Sequence, residues 1–330
     1  PAQIIASSGP NREDMKQFLY TPRDLLNFAP LSAKDHFPMF DKLFVMSQYI
    51  TPQLAVSRLA GRLADNESMP GLKDRVVKWF IGRYGVNMNE ALEPDTAAYP
   101  SFNAFFTRAL KPGLRPVDER ESALVSPVDG AISQLGQVSN DRVFQAKGQS
   151  FSLNELLGGD EERAASFTDG EFATIYLSPK DYHRIHMPLA GTLREMVYVP
   201  GKLFSVNPTT AENVPNLFAR NERVACLFDT PAGPMALVLV GAMIVGSVET
   251  TWAGVVAPGG GEVSESRYDS LKTPIQFEKG EEMGRFRLGS TVIMVMPKGA
   301  VKWNANQVAG GTVRMGEAFG DINTGQPGTQ

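Results

Sequence analysis

Cysteine is nearly missing: the 330 residues contain one, Cys226, inside the apolar run Val224-Ala225-Cys226-Leu227-Phe228. An intrachain disulfide is excluded, and a lone cysteine among apolar neighbours reads as a small buried hydrophobe. Such sparing use fits a reducing compartment. No uninterrupted apolar run reaches the roughly 18 residues expected of a membrane-crossing helix, and the stretch from Pro1 to Arg23 lacks the charged-then-apolar order of a secretory signal. The expectation is a chain that neither spans a membrane nor is obviously exported; residue 1 is not Met, so either the N-terminus is trimmed or the numbering starts inside the gene product. Positive charge is not in excess either. The 32 Lys and Arg stand against 36 Asp and Glu, a formal net charge of -4, which argues against a dedicated nucleic-acid binder. What is plentiful is apolar material, 42% of residues, enough for one large domain or two of average size.

Residues 1–38 mix Pro, Asn, Asp and Ser with short apolar patches and hold no period for long, so a loosely structured arm is expected there. Helical spacing begins at Phe40: Leu43, Met46, Ile50 and Leu54 recur at three- and four-residue steps, then Leu59 and Leu63, then Val76, Val77, Phe80 and Ile81. Pro52 and Met69-Pro70-Gly71 divide the stretch into two or three helices. Seven positive residues (Lys42, Arg58, Arg62, Lys73, Arg75, Lys78, Arg83) face four negative ones (Asp41, Asp65, Glu67, Asp74) between 40 and 84. The segment therefore carries +3 in a chain of -4, and the remainder carries -7. A basic amphipathic region with Trp79 and Phe80 beside Lys78 suits an anionic lipid surface; the ordinary alternative is a helix pair that packs its apolar stripe on the body.

Past a junction near 91–101 the pattern turns to short β-like runs punctuated by Gly and Pro, among them 142–146, 172–178, 224–229, 235–249 and 291–296. Helical pattern survives only at 153–157 and 211–220. The expected fold class is α+β, mainly β: a sandwich- or barrel-like catalytic body over 96–330 behind an amphipathic helical region at 39–95.

Three histidines occur, and two stand three apart in Asp181-Tyr182-His183-Arg184-Ile185-His186-Met187-Pro188. Residues i and i+3 of a regular strand face opposite ways, so if both serve one site this segment bends. Ser178-Pro179-Lys180-Asp181 supplies a turn. A metal reading of the pair is weak, because Cys226 and His36 lie in unrelated contexts and no second ligand cluster is visible. Asp129 sits in Ser126-Pro127-Val128-Asp129-Gly130, a turn sequence. Ser290 sits in a Gly289-Ser290-Thr291 break between two β-like runs. Serine, aspartate and histidine are the parts of a serine hydrolase using Ser290, His186 and Asp129, although Ser290 lacks the Gly-x-Ser-x-Gly elbow. Paired Gly-containing β segments such as 127–135 and 240–248 also suit a lipoyl-like or phosphocarrier module, but no lysine stands at an evident hairpin tip.

The combined motifs identify a family resemblance. Ser101-Phe102-Asn103-Ala104-Phe105-Phe106-Thr107-Arg108, Ser126 to Gly130, Asp181 to Pro188, Phe204-Ser205-Val206-Asn207, Val214 to Arg223 and Leu288-Gly289-Ser290-Thr291 together resemble bacterial phosphatidylserine decarboxylases of the pyruvoyl-dependent type. The resemblance runs from about Phe40 to the C-terminal region and leaves out residues 1–38. It implies a proenzyme cut between Gly289 and Ser290 into chains 1–289 and 290–330, with Ser290 becoming a pyruvoyl group that forms a Schiff base with phosphatidylserine. It also implies His186 oriented by Asp129 as the base for cleavage, His183 as the acid that returns a proton to carbon, and no metal. The implied partners are phosphatidylserine, an anionic membrane surface and a second copy in a homodimer. The implied setting is peripheral, on the cytoplasmic face of the bacterial cell membrane.

Overall fold

The computed structural model describes residues 38–51, 53–243, 247–259, 261–287 and 290–323, with side chains omitted for 38–42, Leu54, Arg58 and Ser290. The expected arm therefore lies outside the described residues, Pro38 excepted.

Three helices open the described chain: α1 (Pro38–Ile50), α2 (Gln53–Ala64) and α3 (Pro70–Tyr84). Pro70 starts α3, where a missing N–H costs nothing, and Gly85 ends it at φ +68°, a left-handed conformation that glycine adopts without strain. Their burial is partly inverted. Inward they place the polar Gln48, Gln53, Ser57 and Lys73 beside Val45, Ala64, Val77 and Phe80, while Leu43, Met46 and Ile50, Leu59 and Leu63, and Leu72, Val76 and Trp79 lie exposed. Eleven of the eighteen exposed large apolar side chains among the described residues fall between 43 and 79, so the outward stripes belong to these helices.

The inward polar groups are anchors. Gln48 Oε1 accepts from the amide of Ser205 and Gln53 Oε1 from that of Leu203, each at 2.8 Å, while Lys73 Nζ donates to the carbonyl of Tyr99 at 2.7 Å. Phe80 packs edge-on against Phe102, Phe105 and Phe106 of α4 (Phe102–Phe106), whose N-terminus is capped by Ser101.

The body is an open antiparallel sheet in the order Ser264–Arg267, Gly191–Val199, Arg223–Thr230, Gly233–Val240, Ser290–Met296, Glu171–Leu177, Gly130–Gln137, Thr312–Val313. Both faces of its centre are covered. Ile175, Cys226, Leu237, Val292 and Met294 point into one apolar cluster, and Phe172, Ala225, Leu227, Val238, Ile293 and Val295 into another. Cys226 is completely buried, and burial pushes its thiol pKa up. A second sheet holds Gly254–Ala257, Ser247–Thr250, Glu282–Arg287 and Arg184–His186, and a third holds Ala123–Val125, Ala318–Ile322 and Val301–Trp303.

Two elements differ from the sequence reading. The run 235–249 is two strands in different sheets, ending at Val240 and resuming at Ser247. The helix expected over 211–220 is split into Pro208–Asn213 and Leu217–Arg220. Pro215 lies between them and disfavours helical backbone at Val214, which is extended at ψ 111°.

Candidate active site

The strand Glu282–Arg287 belongs to the second sheet, and the strand that begins at Ser290 belongs to the centre of the first. The chain thus passes between sheets through Leu288 and Gly289, which lie outside the described residues. Ser290 pairs with Leu177, the last residue of its strand. From Leu177 the chain turns back through Ser178–Asp181, where the Ser178 amide and hydroxyl both donate to Asp181 Oδ2 at 2.7 Å. That turn delivers His183, whose carbonyl accepts from the Phe286 amide at 3.0 Å. Both flanks of the crossover are therefore tied to the histidine turn.

The motif at 101–108, unassigned by sequence alone, braces this turn. Phe106 lies against the His183 ring with centroids 4.0 Å apart, Arg108 donates to the Lys180 carbonyl at 2.9 Å, and the Thr107 carbonyl accepts from Arg184 at 2.9 Å. His183 is fully buried. Its Nδ1 lies 2.8 Å from the Asp181 carbonyl oxygen, which can only accept, so Nδ1 carries the proton and Nε2 is a bare acceptor. No described group partners that Nε2. Desolvation pushes the His183 pKa down to about 3, so the ring is neutral at physiological pH. Burial raises the Asp181 pKa, while the two Ser178 bonds pull it back down.

His186 ends the short strand Arg184–His186, so the residues between the two histidines are extended and the bend lies ahead of both, at Asp181. Its amide donates to the Pro127 carbonyl at 2.9 Å, joining it to the 126–130 loop. In that loop Gly130 passes so close to the neighbouring strand that a Cβ would come within 2.5 Å of the Tyr176 carbonyl oxygen. The His186 side chain, expected to be oriented by Asp129, is not bonded to it. His186 Nδ1 faces the Gly280 carbonyl at 2.8 Å, and Nε2 meets the Tyr182 hydroxyl at 3.1 Å. Asp129 instead accepts from Arg115 Nε at 2.9 and 3.0 Å, from Arg115 Nη2 at 2.6 Å and from the Met315 amide at 2.9 Å. Arg115 also reaches Glu90 at 2.7 Å. Burial lowers the His186 pKa, with Glu282 and Asp129 acting against that shift.

The structure thus ties the His183 backbone to the strand that precedes the crossover, joins His186 to the Asp129 loop through the backbone, and sets His186 beside Glu282, four residues before Phe286. Sequence reasoning missed Arg115, Tyr182 and the Gly280 carbonyl. Tyr182 lay inside the quoted histidine motif and could have been suspected. Arg115 and Gly280 carry no local signal.

Comparison with known proteins follows the same lines. A family model described as phosphatidylserine decarboxylase matches residues 102–321, and one described as PSD matches residues 43–85. The chain is 79% identical over 285 residues to the phosphatidylserine decarboxylase proenzyme of Marinobacter nauticus, covering 86% of this chain and 99% of that one. It is 62% identical over 280 residues to the proenzyme of the same name from Pseudomonas putida (84% and 97% covered) and 61% identical over 283 residues to that of Bordetella pertussis (86% and 95%).

Proposed function

Because the chain belongs to the phosphatidylserine decarboxylase family and is a carboxy-lyase acting on phosphatidylserine, we propose that it does so with a pyruvoyl group made from its own Ser290. The observation that carries this reading is the crossover itself: the chain changes sheets between Arg287 and Ser290, and the backbone on both sides is tied to the turn that carries a buried imidazole with a bare acceptor nitrogen. An orphaned polar atom in an apolar interior is costly unless something polar is to meet it, and a reacting group formed at residue 290 fits that need.

In maturation the Ser290 hydroxyl gives its proton to His186 and adds to the Gly289 carbonyl carbon. The amide C–N bond breaks, an ester forms, and the nitrogen takes the proton from His186 to become a free amine. Removal of the Ser290 Cα proton by a base, with departure of the Gly289 carboxylate from Cβ, leaves dehydroalanine at residue 290; its enamine takes up a proton at Cβ, and water replaces the nitrogen, releasing ammonia. The products are chains 1–289 and 290–330. A pyruvoyl group there supplies an electrophilic carbonyl that takes the substrate amine and accepts the electrons freed as CO2 leaves. Neutral His183 takes a proton at Nε2 from the substrate ammonium, and is then the acid that returns one to carbon. Asp129, fixed by Arg115 and the Met315 amide, holds the loop on which the His186 backbone rests.

Residues 39–95 form the membrane-contact region and 96–330 the decarboxylase body. Outward apolar stripes on three helices with a net positive charge support docking on an anionic phospholipid surface at the cytoplasmic face, each Lys or Arg near it adding about 1 kcal/mol. Among the described residues no helix is long and apolar enough to cross a membrane.

Release of CO2 from phosphatidylserine vesicles tests the reading. Turnover that is abolished by a carbonyl reagent and untouched by a fluorophosphonate supports it; the opposite sensitivities, on an uncut chain, would point to the serine hydrolase.

A further inference from the structure

His186 is held at both nitrogens. A carbonyl oxygen only accepts, so the contact with Gly280 fixes the ring proton on Nδ1, and the Tyr182 hydroxyl must be the donor to Nε2. The tyrosine is placed for this by more than one contact. Its ring lies 5.6 Å from the His186 ring at 33°, it is 7% exposed, and its other side faces a cavity of about 190 Å³ shared with Arg115 and Met315.

We propose that Tyr182 is a positioning residue for self-cleavage: its hydroxyl holds His186 neutral, in the Nδ1–H form, and Nε2 becomes the proton acceptor when the hydroxyl releases it. The inference rests on the reading of His186 as the maturation base. A donor to Nε2 stabilises the neutral ring against the protonated one, which cannot accept that bond. Burial acts in the same direction. The charged neighbours are largely paired with one another: Glu282 across the sheet with Arg184 and Arg285, and Asp129 with Arg115. Beside Gly280, Lys279 Nζ donates to the Arg120 carbonyl and Glu281 accepts from the Glu278 amide. Among the described residues the Tyr182 hydroxyl is thus the one side-chain hydrogen-bond partner of His186.

The test uses the uncut Ser290→Ala chain labelled with ¹⁵N at its three histidines, with Tyr182→Phe, which keeps the ring and removes the donor. The His186 titration midpoint is expected to rise by about half to one pH unit, the shift that losing one modest hydrogen bond produces. Site-specific 3,5-difluorotyrosine at 182, a stronger donor, is expected to move it the other way. Unchanged midpoints in both variants would overturn the proposal. With Ser290 intact, the acid limb of the self-cleavage rate in Tyr182→Phe is expected to move up with the titration. A titration that moves while that limb stays put upholds the Tyr182–His186 link and removes His186 from the role of base.

Discussion

The Nδ1 of His183 donates to the Asp181 carbonyl oxygen at 2.8 Å, and that bond decides what the other ring nitrogen can do. Nε2 is left buried, with a bare lone pair and no partner among the described residues. Replacing His183 with Ala is therefore expected to lower decarboxylation by roughly 10² to 10⁴ while sparing self-cleavage. Parallel assays of fragment formation and CO2 release check this; loss of cleavage with turnover intact would mean that the two histidines exchange roles.

The same burial makes stability depend on pH. His183 has a folded pKa of about 3 against an ordinary 6.5, so below 6.5 the unfolded chain binds a proton that the folded chain refuses. Its contribution is complete above pH 6.5 and is lost progressively as pH falls toward 3. His186, also shifted down, acts with the same sign. In the Ser290→Ala chain, replacing His183 with Asn is expected to flatten the fall of the thermal midpoint between pH 6.5 and 4, and an unaltered slope would contradict the buried neutral imidazole.

Arg115 and Asp129 form a buried pair, their side chains 9% and 10% exposed. Arg115→Met strips Asp129 of three of its four hydrogen bonds and leaves a carboxylate held by the Met315 amide alone. Breaking such a pair costs about 3 to 5 kcal/mol. Denaturant unfolding of the uncut chain is expected to show a loss of that order, and cleavage of the Ser290 chain is expected to slow because the loop bearing Pro127 loosens.

On the outer helices, Ile50 is 83% exposed and Trp79 54%. Changing both to Ser removes little packing, chiefly the Trp79 ring against Tyr84 of the same helix, so the thermal midpoint should fall only slightly, while binding to anionic vesicles should fall by about tenfold or more for each apolar side chain withdrawn from the interface. Sedimentation with phosphatidylserine and with neutral vesicles at two salt concentrations checks the prediction. Undiminished binding would place the contact elsewhere.

Much of the fold was legible where local pattern decides it. The strand at 142–146, the burial of Cys226 and the turn ahead of His183 follow from alternation, apolar neighbours and Ser-Pro. The direction of the helical stripe was not legible, because periodicity defines a face and does not say whether protein covers it. Gln48 and Gln53 settle the matter by bonding backbone amides about 150 residues away, which no local window reveals. Arg115 stands 14 residues from Asp129 and Gly280 94 from His186, each outside the motif it serves, and the expected side-chain contact between Asp129 and His186 gave way to these partners.

The central claim is that Ser290 becomes the cofactor, and intact mass of the purified protein under denaturing conditions tests it most directly. The account predicts two chains, 1–289 and 290–330, held together natively because Ser290–Met296 is paired on both sides. The smaller should be lighter by one NH3 than a fragment beginning with serine. A single uncut chain, or a small fragment beginning with free Ser290, would contradict the account.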